Sequence, residues 1–222
     1  MYIPASLKRS PMYQLIRSLT DTSKMPCPSY GLPPRICGVG SILRCIVDSV
    51  CRFCYAGKGN YLFPAVKRCQ EQRYEAVSLA LSNDIEFNRF AYSFAYVLKR
   101  LGLRYFRWHD SGDIVSVRHL LLLVKIAELC PRIRFWLPTK EYAHVRKYLK
   151  VYGAFPSNFV VRVSAPMVDL AAPVIQGTVT NTVHRSQAPI GKVCNAYKRK
   201  GSCGRCRSCW NLDVSNVSYP LH

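Results

Sequence analysis

Between residues 65 and 100 the apolar positions step by three and four. Phe87, Phe90, Ala91, Phe94, Val97 and Leu98 fall on one stripe, the period of a helix that lays one face on a core. Ser82, Asn83 and Asp84 interrupt the pattern, and Asn83 with Asp84 makes a helix start signal, so two consecutive helices are expected. After residue 100 the period changes. Residues 103–108 read as a short apolar strand, 116–130 as a helix closed by Pro131, and 133–137 as a second strand. Residues 141–151 read as a helix stopped at Gly153, 159–164 as a third strand, and 174–180 as a further one. A short polar stretch follows each of the first three strands: 109–113, Pro138-Thr139-Lys140 and Ala165-Pro166. Apolar strands joined by long crossovers belong to parallel sheets. The expected fold class is α/β, a partial or complete (βα) barrel, with an open doubly wound sheet as the alternative. In both, the carboxyl ends of the strands carry the chemistry.

The two ends of the chain lack this regularity. Pro26, Pro28, Pro33 and Pro34 forbid a long helix near the start, which leaves one short helical stretch at 12–19. Residues 43–50 read as a strand that ends in a cysteine loop. The expected organisation is an irregular cysteine-rich entry segment over 1–64, a (βα) core over 65–185, and a basic cysteine tail over 186–222 packed on that core.

Hydrophobic residues make up 49% of the 222-residue chain, enough for a packed core rather than disorder. Charged residues interrupt every apolar run before it could span a bilayer, and residues 1–9 have no apolar signal region. A cytoplasmic protein without a membrane partner is therefore expected. Lys and Arg number 32 against 12 Asp and Glu, a net charge of +20. Such a surplus points to a polyanionic partner, nucleic acid above all, although thiolates bound to metal would absorb part of it.

The cysteines carry the chemistry. Eleven are present, and their spacing is that of ligands in a reducing compartment rather than of a disulfide framework. The first group is Cys37-x7-Cys45-x5-Cys51-x2-Cys54, with Cys27 upstream. Three close thiolates suit an iron–sulfur cluster with one iron open; four suit zinc or a closed cluster. The second is Cys194-x8-Cys203-x2-Cys206-x2-Cys209, with Gly201 and Gly204 permitting tight turns. Cys69 and Cys130 fall on expected helices and read as ordinary buried residues. No acidic residue lies between Asp169 and Asp213, where Arg185, Lys192, Lys198, Arg199, Lys200, Arg205 and Arg207 stand. This run reads as a phosphate clamp, the plainer alternative being a surface that neutralises a negative cluster; Tyr197 and Trp210 are available to stack on bases or, equally, to serve as core or rim aromatics.

At the strand ends, His109, Asp110 and Asp113 are candidates for proton transfer or ligand binding, with helix capping the simpler role for Asp113. Lys140 is a candidate for meeting a carboxylate or phosphate. Arg162 alternates with Val161 and Val163 and so points to one face, where Asp110 or Asp113 is its expected counter-charge. Ser164 lies just beyond it.

The runs Lys24-Met25-Pro26-Cys27, Val50-Cys51-Arg52-Phe53-Cys54-Tyr55-Ala56-Gly57, Arg107-Trp108-His109-Asp110-Ser111-Gly112-Asp113, Cys203-x2-Cys206-x2-Cys209-Trp210 and Tyr219-Pro220-Leu221-His222 resemble the phage gene product 88 family. That implies a phage-encoded protein in a bacterial cytoplasm. The piece Cys45-x5-Cys51-x2-Cys54-Tyr55-Ala56 is also similar to radical S-adenosylmethionine (SAM) proteins. That resemblance implies a (βα) barrel with a [4Fe–4S] cluster on Cys45, Cys51 and Cys54, and Tyr55 packed beside it. It also implies Ser111, Gly112 and Asp113 near the SAM amino group; Arg162 and Ser164, at the end of the third strand, are further candidate cofactor contacts from their position. Cys194, Cys203, Cys206 and Cys209 would hold a second cluster. The spacing departs from the usual x3 to x5, and Cys37 is a fourth thiol that would close the cluster.

Three functions follow as expectations. The first is a radical-SAM-like iron–sulfur enzyme that modifies nucleic acid or a nucleotide. The second is a base-exchange enzyme like the (deaza)guanine transglycosylases, with structural zinc and Asp110 or Asp113 as nucleophile. The third is a nucleic-acid-binding protein whose clusters are purely structural.

Overall fold

A computed structural model describes residues 15, 18–21 and 24–221. Residues 1–9, and most of the helical stretch expected at 12–19, lie outside the described residues. Two long helices, α2 (Pro64–Ala80) and α3 (Asp84–Arg100), occupy the region of helical period. Asn83 separates them, and its side chain accepts the Glu86 amide at 2.9 Å, which satisfies one of the free donors of the first turn. Asp84 and Glu86 in the first turn of α3, with Lys99 and Arg100 in its last, complement the helix dipole. Then strand and helix alternate: β2 (Tyr105–Trp108), α4 (Val117–Leu129), β3 (Arg134–Thr139), α5 (Tyr142–Tyr152) and β4 (Phe159–Ser164). Gly153, at φ 81°, ends α5 in a backbone conformation that favours glycine.

Three strands had no clear signal in the residue pattern. β1 (Ser29–Tyr30) and β6 (Lys192–Val193) have two residues each, and β7 (Asn216–Pro220) lies near the chain end. Two expected strands are corrected. Residues 43–50 contain the end of a short helix, α1 (Gly38–Leu43), followed by turns. The strand expected at 174–180 is β5 (Val179–His184). Before it the chain turns: Ile175 O accepts from Thr178 N at 3.1 Å and Gly177 has φ 80°.

The strands pair in the order β1-β2-β3-β4-β5-β7-β6, and every ladder between them is parallel. The protein is thus an α/β fold with a parallel sheet flanked by helices. From β1 to β5 each strand lies beside its sequential neighbour, with no order reversal of the doubly wound kind. Among the described residues no ladder joins β1 to β6. No helix of the described residues is long and apolar enough to cross a membrane.

The two faces of the sheet differ. Phe106, Trp108, Phe135, Leu137, Phe159, Val161 and Val163 join Phe94, Leu98, Leu123 and Val145 from the helices in one core. The alternate positions, Tyr105, Arg107, Trp136 and Arg162, take the opposite face. There Cys27, Trp136 and Trp210 form a second buried cluster with Met25, Tyr105, Cys209 and Tyr219 packed against it. The C-terminal cysteine segment, with its short 3-10 turn Ser208–Trp210, therefore covers the face opposite the α-helices of the main core.

Candidate metal centre

The first cysteine group follows β1. Cys37 is the residue before α1. Cys51 lies in a 3-10 turn, Val50–Phe53, and Cys54 closes that turn by donating its amide to Cys51 O at 3.2 Å. Ser49 fixes the turn: its hydroxyl donates to Leu43 O and accepts the Arg52 amide. A side-chain carbon added at Gly40 would lie 3.6 Å from Cys51 Sγ and 3.7 Å from Cys37 Sγ, so both sulfurs face the space that glycine leaves. Burial pushes the Cys37 thiol up to about 12, and the negative groups that add to the shift are Asp113, Cys54, Cys51 and Glu141. Burial also raises Cys51, and Lys140 opposes the shift. The group is thus Cys37, Cys51 and Cys54, with Asp113 from the β2 loop and Lys140 and Glu141 from the end of β3. Cys45 is exposed, as Cys206 of the second group is, while Cys37 and Cys51 share the gap at Gly40.

The loops after β1 and β2 interlock. Leu32 N donates to Ser111 O at 2.8 Å, Ser111 Oγ donates to Leu32 O at 2.8 Å, and Gln70 Nε2 donates to Ser111 Oγ at 2.8 Å. A side chain at Gly31 would stand 2.2 Å from Asp110 Oδ1. Gly112 has φ 72°, and a Cβ there would lie 2.7 Å from Leu32 Cβ and 2.8 Å from Leu32 O. Gly112→Ala should therefore cost about 3 kcal/mol, combining left-handed strain with overpacking against backbone. Urea unfolding checks this, and a loss under 1 kcal/mol would mean the loops are not locked together.

Asp110 accepts at two points: its carbonyl takes the Tyr55 hydroxyl proton, and Oδ2 takes that of Tyr61 at 2.9 Å. Its Oδ1 is buried without a partner among the described residues. Asp113 is stitched to the end of β3: Oδ1 accepts from Thr139 Oγ1 at 2.6 Å and from Ile114 N at 2.8 Å, and Oδ2 from Lys140 N at 2.9 Å. Burial nevertheless lifts its carboxyl to about 6. Asp113 does not cap α4; Ser116 does, by accepting the His119 amide at 3.0 Å. His109 has φ 53°, is buried, and has no partner on either ring nitrogen among the described residues. Its ring stands edge-on to His119 at 5.4 Å, and burial lowers its pKa to about 3, so it is neutral at pH 7.

The second group gathers on the face opposite the α-helices of the main core. Cys203 feels Cys194 and Cys206, Cys209 feels Cys194 and Cys203, and Cys27 feels Cys203 and Cys209. Cys27, uncertain from spacing, thus joins the C-terminal thiols rather than Cys37. Cys203 N donates to Lys24 O at 2.9 Å and Cys194 N to Ser218 O at 2.8 Å. Cys209 Sγ lies 3.2 Å from the Tyr219 hydroxyl, and Cys206 Sγ 3.3 Å from that of Ser208. Arg162 is 0% exposed and meets neither Asp110 nor Asp113. Its guanidinium donates to the carbonyls of Cys209, Thr180, Ser208, Asn211 and Val214 at 2.7–3.1 Å. It is the anchor of the cysteine loop. Ser164 faces the same side of β4, and its carbonyl accepts from Tyr142.

The basic run divides. Arg199 donates to Ser202 O and Cys203 O, and Arg207 to Gly204 O and Cys206 O, so both wrap the cysteine loop. Lys192, Lys198, Lys200 and Arg205 are exposed. Trp210 is 2% exposed and donates to Phe106 O, so it cannot stack on a base; Tyr197 is exposed. Cys130 donates to Ala95 O and Cys69 to Ser18 O, away from both groups. Gln70, Arg73 and His119 escaped the sequence reading, although Gln70, Arg73 and Val77 share the buried side of α2.

Among the described residues, no three His, Cys, Asp or Glu side chains are set to hold one common metal ion. A single zinc gathers its sulfurs to about 3.8 Å from one another. The first group offers three thiols and the second four or five. The family described as Gene product 88 matches residues 7–212. No curated protein matches the chain, and no solved structure does.

Proposed function

The chain belongs to the gene product 88 family, and from its residues we propose an iron–sulfur enzyme, similar to radical SAM proteins, that acts on nucleic acid. The observation that carries the proposal is the meeting of Cys37, Cys51 and Cys54 with the 109–113 loop. These groups come from loops that follow β1 and β2, beside Lys140 and Glu141 at the end of β3. Carboxyl ends of parallel strands are where α/β proteins do their chemistry.

In this reading Cys37, Cys51 and Cys54 hold the first cluster, and Cys194, Cys203, Cys206 and Cys209 hold the second. A cluster held there would supply one-electron reducing chemistry toward SAM. The chain's own residues hold and orient. Tyr55 and Tyr61 fix Asp110, whose free Oδ1 is an acceptor for an ammonium group. Asp113, kept rigid by Thr139, Ile114 and Lys140, adds negative charge beside the thiols. Lys198, Lys200 and Arg205 are the exposed cations for the phosphate backbone, with Tyr197 beside them.

The test is anaerobic reconstitution, iron and sulfide analysis, and assay for 5′-deoxyadenosine after reduction with SAM. Iron in both groups and SAM cleavage are expected. A fully loaded, reduced protein that leaves SAM intact would overturn the enzyme reading. Loss of all three cations in Lys198→Ala/Lys200→Ala/Arg205→Ala should weaken nucleic-acid binding and lower the salt slope by about 3; an unchanged slope would remove that face as the interface.

A further inference from the structure

Arg107 has no role in the reading above, yet it lies between the two cysteine groups. It sits in β2 on the face opposite the α-helices of the main core, level with Ser29 of β1. One terminal nitrogen of its guanidinium donates to the Tyr55 hydroxyl at 3.0 Å. Tyr55 follows Cys54 directly and donates in turn to the carbonyl of Asp110. The other terminal nitrogen lies 3.3 Å from Met25 Sδ, two residues before Cys27. The guanidinium carbon stands 4.6 Å from the centre of the Trp136 ring, and Trp136 packs with Cys27 and Trp210 in the cluster that contacts Cys209. Among the described residues no carboxylate pairs with Arg107 directly, and its Nε has no partner.

We propose that Arg107 is the positioning residue through which the two cysteine centres act as one unit, its guanidinium held by Tyr55 of the first and by Met25 and Trp136 of the second. The proposal rests on the iron–sulfur reading above. The physical reason is that a planar cation with a fixed fork can grip a phenol on one side and lie on an indole on the other. Its cation lies beside the second set of thiols and reaches the first through Tyr55, which follows Cys54. When the second centre is dismantled, the cation shifts relative to the first, and the reduction equilibrium of the first moves with it. A purely structural arginine would alter stability without linking the two.

The experiment is a double-mutant cycle on the full chain, purified without oxygen, with the midpoint potential and electron-spin spectrum of the first centre as readouts. Cys206→Ser removes a ligand of the second centre. In the parent protein it should change the reduction equilibrium of the first about tenfold, near 59 mV for one electron. In Arg107→Met the same substitution should change it less than about threefold. Equal changes with and without Arg107, or none in the parent protein, overturn the proposal. Arg107→Lys is the second variant: it keeps the charge without the fork, and should retain only part of the linkage. Amide exchange in the full chain gives a readout that needs no iron. Loss of Arg107 should speed exchange in residues 54–61 and in 24–29 together, and acceleration in only one of them counts against the link. Protein without iron would defeat the iron–sulfur reading, while the exchange result would still decide whether Arg107 joins the two loops.

Discussion

Cys37→Ser, Cys51→Ser and Cys54→Ser should each abolish iron at the first centre and SAM cleavage with it, whereas Cys45→Ser should leave both within about twofold of the parent protein. The contrast follows from where the chain carries each thiol. Cys37 stands at the start of α1 facing the Gly40 gap with Cys51, and Cys45 lies beyond the helix, exposed to water. A serine hydroxyl keeps the shape of the side chain but is a far poorer iron ligand than a thiolate, because soft sulfur donors are what iron–sulfur cores select. Iron per chain, sulfide content and the visible spectrum of the anaerobic proteins measure the outcome. If Cys45→Ser loses the cluster and Cys37→Ser keeps it, the assignment of the third ligand is wrong.

The largest stability loss is expected at Arg162. Its charge is fully buried, and burial works against that charge, so the five carbonyl acceptors from β5 and residues 208–214 are what make it tolerable. Arg162→Met keeps much of the volume and removes every donor, leaving those carbonyls short of partners in a dry layer. Breaking such a buried charged network costs about 3–5 kcal/mol, a large share of the 5–15 kcal/mol typical of a domain. Arg162→Lys should recover only part of it, since a single ammonium cannot span five acceptors. The midpoint of urea unfolding, read at constant slope, gives the number. A loss under about 1 kcal/mol would show that the C-terminal segment is held by other contacts. Because Ser208 and Cys209 are among the anchored carbonyls, the same variant should loosen the second cysteine centre and lower its iron content.

Arg162 also shows where reading the residues alone stops. Its alternation with Val161 and Val163 identified a charge on one face of a strand, and that face was found. The partner was misjudged, because the carboxylates were visible in the sequence as charges and the carbonyls were not. Every residue carries a carbonyl, so nothing in residue identity marks the five that a folded loop turns toward one guanidinium. Trp210 was open between two roles for the same reason. A tryptophan beside a basic cysteine motif reads equally as a stacking surface or a core aromatic; Trp210 is buried against Tyr105 and Trp136, and Tyr197 is the exposed one of the pair.

The sequence by itself determined the helices α2 to α5, the apolar strands β2 to β4, the parallel α/β class, and the existence of two groups of cysteines, because these depend on periodicity and on near neighbours along the chain. Only the tertiary structure decided that Cys37 and Cys51 face one gap at Gly40, that Cys27 packs with Trp210 beside Cys209, that β7 extends the sheet beside β5, and that Arg107 joins Tyr55 to Met25 and Trp136. Those outcomes depend on how loops tens of residues apart pack against one another. Spacing measures distance along the chain, and a helix such as α1 or a glycine such as Gly31 or Gly112 changes which side chains that distance brings together.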